Sequence, residues 1–137
     1  MAEFKGGCLC GAVRYAADAE PTFMANCHCM DCRKSSAAGH MSLFGLPAGK
    51  VEIIGEVAEY SMSADSGATV THNFCPTCGA QLFTTTTNNP DGIAVVAASL
   101  DDPDIFSPQV SVYASNATPW DPPKEGIPQF EKMPPRG

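Results

Sequence analysis

The chain has 137 residues, 44 % of them hydrophobic and 17 % charged, one domain's length with enough apolar content to bury roughly two-thirds of its unfolded surface. Fifteen acidic against eight basic side chains give a net charge of −7, the wrong balance for holding phosphate backbones, so nucleic acid is not expected as a partner. The seven cysteines are an odd number, which excludes a fully paired disulfide framework.

The opening segment MAEFKGGCLCGAVRY contains no apolar run of secretory-signal length, and no 18-residue apolar span follows, so no membrane association is expected. Cytoplasm is the predicted compartment, and clustered cysteines in a reducing compartment are more often metal ligands than disulfides. Twelve glycines and twelve prolines punctuate the chain, suggesting one domain, 1–137, of short strands and turns. Residues 12–16 alternate with Val13 and Tyr15 on one side and Arg14 on the other, the period of a half-buried strand. Strands are also predicted at 39–46, 51–54, 57–62 and 69–74, each bounded by Gly, Pro or Ser/Asp clusters. Segments 80–87 and 93–100 read as two strands joined by the turn NNPDG. The second is apolar on both faces and is expected in a central position. One short helix is predicted over 31–38, and one more strand at VSVYA (110–114). From about 119 the chain becomes a proline-rich tail, where six prolines exclude a regular helix. Trp120 and Phe130 are expected to pin that tail by burying their rings.

The cysteines form three groups: Cys8 and Cys10 as C-x-C, Cys27, Cys29 and Cys32 as C-x-C-x2-C, and Cys75 and Cys78 as C-x2-C. Tetrahedral zinc takes sulfur ligands in pairs from tight turns, at about 2.3 Å from the ion. In CPTCG, Pro76 stiffens such a turn, Gly79 lets the backbone turn away, and nearby amides can donate to the thiolates. Structural zinc has four protein ligands and catalytic zinc commonly three plus an open position. Seven therefore divides as a closed site of Cys8, Cys10, Cys75 and Cys78 and an open one of Cys27, Cys29 and Cys32. Spacing alone also permits a ribbon of Cys29 and Cys32 with Cys75 and Cys78. Zinc is preferred for these sulfurs, although iron also occupies four-thiolate sites.

The segments GGCLCGAVRY, CHCMDCRKSSAAG and FCPTCGAQLF, with a late PW and GIPQF, resemble in order and spacing the glutathione-dependent formaldehyde-activating enzyme family, which also includes centromere protein V. The likeness runs from about Gly6 to Phe130. It implies a mainly β fold, several short coiled antiparallel sheets organised around zinc. It also implies carbon–sulfur lyase activity, of the S-(hydroxymethyl)glutathione synthase type, on glutathione or a similar small thiol with formaldehyde or related adducts. The resemblance assigns structural zinc to Cys8, Cys10, Cys75 and Cys78 and catalytic zinc to Cys27, Cys29 and Cys32. Many members carry a histidine in the strand before PW, where this chain has VSVYASNATPW and Ser111 is the matching candidate.

Arg33 and Lys34 directly follow the last ligand of the trio and are candidates to receive the carboxylates of a glutathione-like substrate, arginine with the better bidentate geometry. Against that stands a simple solvated positive face. His28, between two ligands, should point away from the metal and serve as a neighbour or pocket wall. His40 and His72 are expected in ordinary hydrogen-bonded roles, with proton shuttling as the alternative. Asp31 either orients water or caps the short helix, and Tyr113, Trp120 and Phe130 are expected to pack. Two rival classes remain: a zinc-stabilised structural or interaction module without catalysis, and a thiol redox protein. The latter lacks its usual βαβ setting. Oligomeric state is not legible.

Overall fold

The computed structural model describes residues 3–133. It is a small, mainly β domain with two sheets and one helix. In chain order the strands are β1 (Glu3–Gly7), β2 (Arg14–Asp18), β3 (Phe23–Cys27), β4 (Met41–Pro47), β5 (Val51–Ile54), β6 (Ala58–Ser63), β7 (Thr69–Phe74), β8 (Gln81–Thr86), β9 (Gly92–Val96) and β10 (Val110–Val112). The helix, α1 (Met30–Ser36), lies between β3 and β4.

A three-stranded sheet runs β1-β2-β5 and a seven-stranded sheet runs β10-β3-β4-β9-β8-β7-β6. Alternation dictates the packing of the smaller sheet. Phe4 on β1 and Tyr15 and Ala17 on β2 turn inward, while Arg14 faces out. They meet Phe44, Leu46, Leu82, Ile93 and Val95 from the larger sheet in one core, with the Phe4 and Phe44 rings stacked at 4.8 Å. Burial of such side chains stabilises by roughly 1.5–3 kcal/mol each. β9 takes the fourth place of seven, the central position its doubly apolar run implies. That run stops being a strand at Val96 and closes in a 3-10 turn at Ala97–Ser99.

The pairings are antiparallel with one exception among the described strands: β10 lies parallel to β3, Val112 opposite Cys27. Beyond β10 the tail folds back alongside it. The Ser111 amide donates to the Pro128 carbonyl and the Phe130 amide to the Ser111 carbonyl, both at 2.9 Å. Backbone bonds, not aromatic burial, therefore hold the tail: Trp120 is 72 % exposed, contrary to the expectation for its ring, and Phe130 is only half-buried. This return of the chain carries Asp121 to Gly39 and His40, in the segment between α1 and β4. No helix in the described residues is long and apolar enough to cross a membrane.

Candidate metal centres

Two short turns build the four-sulfur cluster. After β1 the chain folds so that the Cys8 amide donates to the Val13 carbonyl at 3.0 Å. After β7 the same device recurs, with the Cys75 amide donating to the Ala80 carbonyl at 3.0 Å and the Gly79 amide to the Cys75 carbonyl at 2.9 Å. Gly79 has φ of 77°, a left-handed conformation that a residue with a Cβ adopts only at a cost. Cys8, Cys10, Cys75 and Cys78 thus converge, with sulfurs within 4.8 Å of one another. The Cys8–Cys10 and Cys10–Cys75 sulfurs are 3.7 Å apart, and the edge of a tetrahedron with metal–sulfur bonds of 2.3 Å is about 3.8 Å.

Amides surround these sulfurs. Val13 N–H donates to Cys8 Sγ at 3.3 Å, and Thr77 and Cys78 N–H donate to Cys75 Sγ at 3.3 and 3.4 Å. Hydrogen bonds to the charged form favour it. The Cys78 thiol is brought down to about 6, first by the Ala80 backbone and next by that of Cys10. Four thiolates in this geometry could hold a metal ion, and the donor set is compatible with zinc.

The second cluster is local. β3 ends at Cys27, the His28 amide donates to the Val112 carbonyl on β10 at 3.1 Å, and Cys29 becomes the N-cap of α1, its sulfur accepting from the Cys32 amide at 3.3 Å. Cysteine thus takes the capping position and Asp31 lies in the first turn. The helix ends at Ala37, in left-handed conformation with φ of 58°. The sulfurs of Cys27, Cys29 and Cys32 lie within 4.8 Å of one another and share their protons. Neighbouring Cys27 and then Cys32 draw the Cys29 thiol down to about 2, while Cys29 pushes Cys27 up to about 12. Sulfurs this close resist ionising together, and a cation among them would remove that resistance.

Arg33 and Lys34 both follow on α1. Lys34 is exposed, whereas Arg33 is half-buried and its Nε is buried without a hydrogen-bond partner. Tyr113, read from the sequence as a packing residue, sits in left-handed conformation with φ of 53° immediately after β10. Burial raises its phenol pKa, and Asp65 followed by Cys27, Cys29 and Cys32 add to the rise. Ser111 is fully buried with its hydroxyl unpaired. Histidine positions diverge. His72 is buried on β7 with Nδ1 unpaired, His40 pairs with Asp121 through Nδ1, and His28 is buried against His40 with ring centroids 5.0 Å apart. Burial lowers the His28 pKa, helped by His40 and opposed by Asp121. Nothing in the motif spacing flags Asp121, which reaches His40 across 81 residues.

A family model for the glutathione-dependent formaldehyde-activating enzyme matches residues 3–116. This chain belongs to that family. A crystal structure of a Rhodobacter sphaeroides protein is similar in fold, with a TM-score of 0.59 at 21 % identity, covering 91 % of this chain and 98 % of that one. Both cysteine clusters could hold metal ions, and the family's name ties the chain to chemistry of glutathione and formaldehyde. A surface hollow of about 220 Å³ lies elsewhere, lined by Lys5, Arg14, Tyr15 and Glu52 on the small sheet, with no cysteine in its wall.

Proposed function

We propose that the protein is a zinc-dependent carbon–sulfur lyase acting in the cytoplasm on glutathione, or a similar small thiol, and formaldehyde. In the synthetic direction the thiol sulfur bonds to the formaldehyde carbon and the thiol proton ends on the former carbonyl oxygen; cleavage is the reverse. The observation that carries this reading is the trio. Cys27, Cys29 and Cys32 converge, and no fourth His, Cys, Asp or Glu joins them among the described residues, which is the donor count of an open site.

Cys8, Cys10, Cys75 and Cys78 would hold a structural zinc and the trio a catalytic one. Bound there, zinc supplies a position at which an incoming thiol ionises near neutral pH. The chain's own residues do the rest. Arg33, half-buried and directly after Cys32 on α1, receives a substrate carboxylate in a bidentate pair, and exposed Lys34 adds a mobile charge. Two attachment points fix the thiol's approach, and fixed approach is where most of the rate gain in such an addition arises. Three thiolates donate strongly and blunt Lewis acidity, so positioning carries more of the catalysis than polarisation of the carbonyl. Tyr113 stands close enough for its phenol to feel the charge of the three sulfurs.

The test combines composition and rate. Protein purified without added zinc should hold zinc at both cysteine clusters and accelerate the exchange between glutathione, formaldehyde and their hemithioacetal, as followed by NMR. Arg33→Ala should raise KM for glutathione more than it lowers kcat. Zinc in both cysteine clusters with no acceleration would replace this reading with that of a zinc-stabilised interaction module.

A further inference from the structure

Beside the trio, on the opposite side of its loop, three ligand-type side chains meet from three separate parts of the chain. His28 lies between β3 and α1, His40 immediately before β4, and Asp121 in the returning tail. Their candidate ligand atoms are all within 4.8 Å of one another, and no cysteine sulfur belongs to the group. Successive residues of an extended segment project to opposite sides, so Cys27 and Cys29 face the trio's centre and His28 faces away from it.

His28 is the informative member. It is 1 % exposed, and both ring nitrogens are buried with no hydrogen-bond partner. A neutral imidazole carries a donor at one nitrogen and an acceptor at the other, and native interiors seldom leave either unmatched. His28 thus presents unmatched nitrogens next to one imidazole and one carboxylate. Asp121 is seated there by the shape of the backbone. A Cβ on buried Gly39 would lie 2.2 Å from Asp121 Oδ2 and 2.4 Å from its Cβ, so the glycine is what admits the carboxylate beside His40.

We propose that His28, His40 and Asp121 form a third metal site, for a borderline divalent cation such as Zn²⁺, Co²⁺ or Fe²⁺. Two imidazoles and one carboxylate suit these ions. Calcium and magnesium prefer all-oxygen shells, and softer ions prefer thiolates. Three protein donors leave the remaining position to water or a small oxygen ligand. The site is chemically unlike its neighbour across the loop: nitrogen and oxygen on one side, sulfur on the other. It does not depend on the lyase reading, because the metal count stands whatever the assay with glutathione and formaldehyde gives.

Cobalt distinguishes the sites in the full chain. With all sites loaded, the wild type should bind three Co²⁺. Two should carry the near-ultraviolet charge-transfer bands of thiolate ligation, and the third only weak visible bands of nitrogen and oxygen ligation. His40→Ala and Asp121→Asn, both at half-buried positions, should each bind two Co²⁺ with the thiolate bands unchanged. Gly39→Ala should weaken the third equivalent at least tenfold by displacing Asp121, without touching a ligand. Saturation of the wild type at two equivalents would overturn the proposal, leaving His28 to a buried water. So would a third equivalent that survives in both ligand variants.

Discussion

The two cysteine clusters use the same atom for different mechanical ends. Cys8 and Cys10 follow β1 of the small sheet, and Cys75 and Cys78 lie on the turn between β7 and β8 of the large one, so their union closes the chain across 65 residues. Cys75 is fully buried, and Cys8 and Cys75 belong to the hydrophobic core. Cys27, Cys29 and Cys32 come from one short loop, already shaped by the cap of α1 and by the His28–Val112 backbone bond. A metal in the first cluster would join two sheets, whereas one in the second would join residues that are neighbours already. Binding energy is therefore mostly folding energy in the first case and is left for ligand exchange in the second.

The largest effect should come from the first cluster. Cys75→Ser removes a sulfur that accepts two amide bonds in the core, and the loss should exceed about 4 kcal/mol, most of a small domain's stability. Denaturant unfolding followed by circular dichroism measures it. Cys29→Ser should instead keep the midpoint within about 4 °C of wild type while activity falls by about a hundredfold or more, since even outer-shell partners of a catalytic metal matter on that scale. Equal loss of structure in the two variants would dissolve the contrast between closing site and working site.

A clamp without sulfur gauges how much of the sheet-to-sheet closure the first cluster carries. Tyr15 on β2 donates its hydroxyl proton to Ser99 Oγ at 2.6 Å, and Ser99 donates in turn to the Val96 carbonyl at 2.6 Å. Burial raises the Tyr15 pKa from 10.0 to about 12. The folded state therefore holds the proton more tightly than the unfolded one. The stabilisation is fully present below pH 10 and lost as pH rises towards 12. The shift corresponds to about 2–3 kcal/mol, so alkaline unfolding should steepen across that window. Tyr15→Phe should abolish this steepening and cost about 1 kcal/mol at neutral pH. If the cost were much larger, the tyrosine rather than the sulfurs would be the main closure.

The same contrast separates what could be read from the sequence and what could not. β5 and β7 have the predicted limits, 51–54 and 69–74, because turn residues bracket them, and β9 is central because both of its faces are apolar. β3 escaped, since four of the five residues of FMANC are buried and a run without alternation carries no period of two. β1 escaped because Gly6 and Gly7, read locally, end a strand; here they pair with Tyr15 and Arg14. Cysteine grouping was legible, since spacing within each turn is a local property. Trp120 was misjudged because ring burial depends on the route of the tail, which is fixed by backbone bonds to β10. Asp121 beside His40 is likewise a product of that route, and no local pattern contains it.

The smallest expected effect belongs to the outermost link between the small sheet and the rest of the chain. Arg14 on β2 forms a bidentate pair with Asp101, one guanidinium nitrogen at 2.9 Å from Oδ1 and the other on Oδ2. Both side chains are about half exposed, at 44 % and 51 %. Arg14 lowers the Asp101 pKa below 3.8, so this contribution is present above that pH and is lost as the pH falls through the lowered value. Solvent and salt screen such a pair. Asp101→Asn should therefore lower the melting midpoint by only about 1–2 °C, and about 0.5 M salt should erase the difference. A salt-resistant loss as large as that of Tyr15→Phe would mean that the exposed rim, and not the buried clamp and the sulfurs, keeps the two sheets together.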